Sequence, residues 1–207
     1  MSVTAFEAAN DVLDRADALL LLDSAPQLDD VRTDIRRLAW AMGVAAIDTY
    51  LHWLVRKVDL YASLPKSLEK LEVPFKDLVA MSHEGVSARK AGLKDRPITR
   101  VRNVLHDRIL KETFQSARGV ETALELAGLK GFWRDLSAEL GEPVPAIKTH
   151  LNQLAHRRNA VVHEGDIKRM SRPRAIKRNE LNPTDARNEL DWVRAFIVAL
   201  GVVAPST

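Results

Sequence analysis

The sequence predicts an all-α fold, a compact helical bundle with one long early helix, and three observations carry that prediction. Apolar residues recur at three- and four-residue spacing along most of the chain. Prolines and many of the glycines punctuate those patterns. No run alternates apolar and polar residues as a half-buried strand would.

Each element follows from local chemistry. Thr4 with Glu7 three residues on forms a capping box, and Phe6, Ala9, Leu13, Ala16 and Leu20 then share one helical face. That helix is expected to stop near Asp23, before Pro26. A longer one runs from about Asp29 to Tyr61, with Val31, Ile35, Leu38, Met42, Ala45, Ala46, Leu54 and Val58 on one broad face. Its small residues Ala41, Gly43, Ala45 and Ala46 admit a close neighbour helix. Pro74 suits a first helical turn, and Phe75, Leu78, Val79 and Val86 give a shorter amphipathic helix that Gly92 ends. After a loop at 93–97, helices are expected from Ile98 to Thr113, from Val120 to Ala127, and over "FWRDLSAEL". Pro143 and Pro145 restart the chain into "AIKTHLNQLAHRRNAVVHEG", whose buried side reads Ile147, Leu151, Leu154, Val161 and Val162 and whose stop is Gly165. Asn182 caps a last helix with Pro183 in its first turn, and Leu190, Val193, Ala195, Ile197, Val198 and Leu200 form its apolar side. The economical division is one domain over residues 1–207, with 66–142 as a helical elaboration.

Composition narrows the function classes. At 46% hydrophobic and 29% charged the chain has the balance of a globular protein rather than a disordered one. Only 5% is aromatic, so no stacking platform for bases is advertised. The absence of cysteine removes disulfides, thiolate catalysis and cysteine-bound zinc. The longest uncharged run, Ala195 to Thr207, is too short to span a bilayer, and the N-terminus is acidic where a signal peptide is basic. A cytoplasmic protein with no membrane partner is the expectation. Residues 1–34 hold eight acids against Arg15 and Arg32, a balance of −6, so the net +3 leaves +9 on the rest. Charge segregated in this way points to one side that meets a polyanion.

The chemistry concentrates in "HRRNAVVHEGD", His156 to Asp166. On a continuous helix Asn159 and His163 share a face, with Arg158 about 100° round from Asn159. Such a set suits attack of a ribose 2′-hydroxyl on its neighbouring phosphate. Imidazole moves protons near neutral pH, and guanidinium holds the phosphoryl oxygens as charge builds on them. No metal or other cofactor is needed. One histidine does not readily serve as both base and acid, whereas a two-fold dimer supplies two.

"RNAVVH" resembles the signature of the HEPN superfamily, many of whose members are metal-independent endoribonucleases. The long helix "LAWAMGVAAIDTYLHWLVRKV", the continuation "HEGD" and the closing "NPTDARNELDWVRAFIVAL" are similar to stand-alone bacterial members. The resemblance covers about residues 29–61 and 145–202, and 66–142 match it only in being helical. It implies a dimeric bundle with the motif in a shared cleft, Arg158 on the scissile phosphate, His163 as general acid and base, and Asn159 orienting the pair. It also implies a toxin or antiviral role with an antitoxin or inhibitor partner. Arg157, Glu164 and Asp166 match no required position and read as neighbours.

Two further features bear on RNA binding. Lys168, Arg169, Arg172, Arg174, Lys177 and Arg178 follow the motif with no acid among them and form an expected backbone track, which Arg157 would join. A second Arg/His set, Arg100 to His106 in "RVRNVLH", lacks a polar residue after Arg100, and Arg102 reads there as a surface partner of His106, with a second phosphate contact as the lesser alternative. The six histidines show no metal-binding spacing. Beside the endoribonuclease reading stand a non-catalytic helical module binding nucleic acid, nucleotide or protein through the same cleft, and a DNA-binding regulator, for which no helix-turn-helix is visible.

Overall fold

The computed structural model describes residues 3–26, 31–94, 96–169 and 175–204 of the chain. Among them stand nine α-helices and no extended strand: α1 (Ala5–Leu21), α2 (Arg32–Arg56), α3 (Lys66–Glu69), α4 (Phe75–Lys90), α5 (Pro97–Ile109), α6 (Ala117–Leu126), α7 (Phe132–Leu140), α8 (Val144–Glu164) and α9 (Pro183–Val203). The fold is all-α.

Helix starts follow the cap chemistry. Thr4 Oγ1 accepts the Glu7 N–H at 3.1 Å while the Glu7 carboxylate accepts the Thr4 N–H at 2.7 Å, closing the capping box on α1. Those Thr4 contacts hold the Glu7 carboxyl below its usual range. Asn182 accepts the Asp185 N–H at 2.8 Å at the start of α9. Helix α6 begins on Ser116, which accepts from Gly119.

Helix α2 is the axis of the bundle. It touches α1, α9, α8, α6 and α5, so its buried surface is wider than one stripe. Ile35, Ala39, Val44, Ala46, Ile47, Tyr50, Leu51, Leu54 and Val55 are all buried. Val31 and Leu38, expected on the inner face, are exposed instead. The flanking helices cover Ala39, Ala46 and Tyr50 and leave the Leu38 edge to solvent. By length and hydropathy alone α2 would cross a bilayer, yet half of that apolar stretch is buried inside the bundle. The close neighbour anticipated at its small residues is α9 of the same chain. A Cβ on Gly43 would sit 2.2 Å from Leu190 Cδ2, a distance no packed pair tolerates.

One large core unites residues of α1, α2, α5, α6, α7, α8 and α9 with Leu68 of α3. Leu105, Phe114, Val120, Leu124 and Leu136 belong to it, so most of the 66–142 region shares the main core. Helix α4 does not: Gly85 is its one buried residue, while Phe75, Leu78, Val79 and Val86 are exposed. On α9 the inner positions are Phe196 and Ala199, and Ala195 and Val198 face outward against expectation. A smaller core of Ala16, Leu20, Ala39, Leu181, Ala186 and Leu190 joins α1, α2 and α9 around the segment that leads into α9.

Tyr50 locks α2 to the end of α9. Its fully buried hydroxyl lies 3.1 Å from the Leu200 carbonyl and 2.8 Å from that of Ala204. Burial pushes its pKa up to about 12. A phenol that ionises near 10 when unfolded but near 12 when folded stabilises fully below pH 10, and that contribution is lost as pH rises through 12. Denaturant titrations should therefore show a decline of up to about 2–3 kcal/mol across that window, missing in Tyr50→Phe. A variant curve parallel to the parent's would assign the alkaline loss to other groups. At neutral pH the same substitution should cost about 1–2 kcal/mol, since the Ala204 carbonyl loses the hydroxyl while that of Leu200 keeps the Ala204 N–H.

Candidate functional site

The motif lies on the last two turns of α8, which runs unbroken through Arg158, Asn159 and His163 to Glu164. Gly165 ends it at φ +61°, and Asp166 follows at φ +56°, a left-handed geometry that aspartate tolerates better than most side chains. The Asp166 N–H closes on the Ala160 carbonyl at 2.8 Å. The chain then returns, with Lys168 N–H donating to the Lys177 carbonyl and Asn179 N–H to that of Asp166, around an isolated antiparallel bridge between Ile167 and Arg178. The ends of the basic segment are thus pinned together.

Asp166 is the centre of this region, and it is completely buried. Its Oδ2 accepts Arg37 Nε at 2.9 Å and Arg157 Nη2 at 2.7 Å, and its Oδ1 accepts Asn179 Nδ2 at 3.0 Å. Arg37 also donates to Asp34 at 2.7 Å and to the Asn179 carbonyl at 2.8 Å. Two guanidiniums are balanced by two carboxylates, one buried and one at the rim. The sequence shows Asp166 only as the tail of "HEGD". Its partner Arg37 is 129 residues away, and no local pattern links them.

Arg157 is drawn into this cluster. Its Nη2 serves Asp166 and, at 3.2 Å, the Glu180 carbonyl, and its guanidinium lies 6.0 Å from the Trp40 ring centroid. Arg158 is half-buried and donates to Asn159 Oδ1 at 3.2 Å. Asn159 and His163 are exposed, and among the described residues the His163 ring has no hydrogen-bond partner. Val162, expected inside, is exposed beside them because α8 has passed its last core contact at Leu154. On this helix Asn159 and His163 are about 40° apart, whereas Arg158 and His163 diverge by about 140°. A single chain therefore pairs Arg158 with Asn159 and leaves His163 alone.

The basic track divides. Lys168 is exposed without a partner of its side chain among the described residues. Arg169 is exposed but grips both Glu164 oxygens, at 2.8 and 3.1 Å. Arg172 and Arg174 lie outside the described residues.

Among the described residues, part of the charge on the acidic N-terminus is matched internally. Asp17 accepts from Arg187 and Arg194, both at 2.5 Å, and Asp23 from Arg36 at 2.7 and 3.0 Å. Much of the imbalance between residues 1–34 and the remainder is thus α1 and α2 matched to arginines. Two other histidines, His52 and His150, are held by neighbours. His150 bonds Glu189 at 2.6 Å and stacks on Trp192 at 4.0 Å. Arg102, read from the sequence as a surface partner of His106, instead donates to the carbonyls of Arg56 and Val58 and caps the C-terminus of α2.

Set beside protein-family models, curated proteins and solved structures, the chain matches none of them.

Replacing Asp166 by Asn keeps the size and the acceptor for Asn179 but leaves two guanidiniums facing a neutral amide. Thermal or denaturant unfolding should show a loss of about 3–5 kcal/mol. A change below about 1 kcal/mol would mean that water already screens this carboxylate.

Proposed function

We propose that the protein is a metal-independent endoribonuclease that acts as a homodimer. The observation that carries this reading is the display of Arg158, Asn159 and His163 on the rigid end of α8, with His163 and Asn159 exposed while the turn beyond them is anchored through Asp166. The resemblance of "RNAVVH" and its setting to the HEPN superfamily supports it. In this mechanism the 2′-hydroxyl gives its proton to one imidazole and attacks the adjacent phosphorus. The 5′-oxygen leaves with a proton from a second imidazole, so the products are a 2′,3′-cyclic phosphate and a 5′-hydroxyl. Arg158 binds the phosphoryl oxygens as negative charge grows on them, and Asn159 holds the guanidinium. Each chain brings one motif histidine, so the second comes from a second copy. Exposed Val162 and Ile167 border the motif and supply apolar surface for that contact. Lys168 and its basic neighbours then track the RNA backbone, and a toxin or defence role with an inhibitor protein fits such an activity.

The divergence of Arg158 and His163 along one helix favours the second reading, a non-catalytic RNA- or protein-binding module, for any form that stays monomeric. Light scattering at micromolar concentration separates the two: a monomer removes the composite site.

Incubation of the purified protein with mixed RNA in excess chelator should yield cyclic-phosphate and 5′-hydroxyl termini, and 2′-deoxy substitution at the cut should abolish cleavage. His163→Ala should slow cleavage by roughly 10²–10⁴-fold with helical content unchanged. Arg158→Ala should do comparable harm, and Arg158→Lys should recover only part, because a point charge does not grip two oxygens. Parent-rate cleavage by both alanine variants would remove the ribonuclease reading.

Affinity for RNA should fall steeply with salt, and neutralising Lys168, Arg169, Arg172 and Arg174 together should flatten that dependence. An unchanged slope would place the RNA elsewhere on the surface.

A further inference from the structure

A cleft of about 340 Å³ opens where the C-terminal half of α2 meets the end of α5, lined by Asp48, His52, Trp53, Arg56, His106 and Glu112 among others. It lies far along α2 from the Asp166 cluster: from Arg37 to His52 the helix rises roughly 22 Å. The volume is at the lower end for small-molecule sites.

Most of the charges in this cleft are already answered. Asp48 accepts the Phe114 N–H at 2.6 Å and Gln115 Nε2 at 3.3 Å. Glu112 is bonded by Arg108 at 2.8 Å. His52 presents Nδ1 to the Asp48 carbonyl at 2.8 Å and Nε2 to the Ile109 carbonyl at 2.9 Å, so both ring nitrogens are engaged. An Asp48 carboxylate oxygen lies 3.5 Å from its Nδ1, and the Phe114 ring packs on it at 4.7 Å. His52 is therefore a fixed part of the wall.

Two groups are left over. Arg56 has no carboxylate partner among the described residues, and its guanidinium lies 5.9 Å from the Trp53 ring centroid. His106 has a buried Nδ1 with no partner, so Nε2 is the ring nitrogen left to the cleft. Burial first, then the charges of Arg56 and His52, hold the His106 pKa below its ordinary value, against the raising influence of Asp107. A neutral imidazole beside an unanswered guanidinium calls for negative charge. Cations are repelled by the Arg56 guanidinium.

We infer that this cleft is a second binding site, separate from the α8 motif, that takes a small oxyanion between Arg56 and the Nε2 of His106. Arg56 supplies a fork to two oxygens, and a neutral His106 donates from Nε2. The ligand group is a phosphate, as the ion or a monoester, or a carboxylate, and the indole of Trp53 forms a wall for what the group is attached to. None of this requires the ribonuclease reading.

The test is a ¹⁵N-histidine NMR titration of the full chain with inorganic phosphate in one arm and acetate in the other. The His106 resonances should move saturably through the millimolar range, and the arm in which they move names the oxyanion. With the anion bound, His106 should protonate at a higher pH than in the free protein, because added negative charge offsets Arg56 and His52. Arg56→Gln should weaken binding roughly tenfold or more. The α2 cap survives in that variant, since Arg102 bonds the backbone of residue 56 rather than its side chain. His163→Ala should leave the titration untouched, which separates this site from the motif. Resonances of His106 that do not respond to either anion, or that respond equally in Arg56→Gln, overturn the inference.

Discussion

The candidate site rests on one carboxylate shared by two guanidiniums. Asp166 is fully buried, and Arg37 from α2 and Arg157 from α8 converge on the same oxygen. Bringing such charges out of water costs nearly as much as their attraction returns, so the arrangement adds little net stability compared with an apolar core. What it supplies is position. Because both guanidiniums converge on this carboxylate, the end of α8, the return at Asn179 and the start of α2 are held in one mutual arrangement. The side chains of Asn159 and His163 inherit that arrangement without taking part in it.

The same economy recurs across the bundle. Asp17 ties α1 to α9 through two arginines, and Asp23 ties the end of α1 to α2 through one. The Asp17 pairs are partly exposed, and each is worth on the order of 1 kcal/mol or below. Their value lies in orienting helices whose apolar faces alone would allow several rotations. Where a large side chain fills the space over a glycine, as Leu190 does at Gly43, packing also limits the rotation.

Local chemistry was legible in the sequence; long-range partnership was not. The Thr4–Glu7 box, the Asn182 cap, the glycine stop at 165 and the order of the helices follow from residues within a turn of one another. Periodicity located α4 but did not reveal that its apolar positions lack a cover, and it misplaced Leu38, Val162 and Val198 by assigning helices one inner stripe each. A helix packed on three sides buries more than a stripe, and one that outruns the core buries less. The motif residues could be named from "RNAVVH", yet the residue that positions them could not. Nothing near Asp166 announces an arginine at position 37, and nothing in Arg157 marks it as an internal partner rather than a phosphate ligand.

Helix α2 carries obligations at every stage of its length: Arg37 to Asp166, Gly43 to Leu190, Tyr50 to the last carbonyls of α9, and His52 to Asp48 and Ile109. Each depends on the angle at which its side chain leaves the helix, and deleting one residue turns everything after it by about 100°. A deletion between Arg37 and Gly43 would aim a bulkier side chain at Leu190 and swing Tyr50 away from the carbonyls of α9 and its end, and His52 away from that of Ile109. Homologous chains should therefore vary freely in the lengths of their connections yet hold the number of residues from Arg37 to His52 constant. That invariant spacing, more than any single side chain, would mark descent from the same bundle.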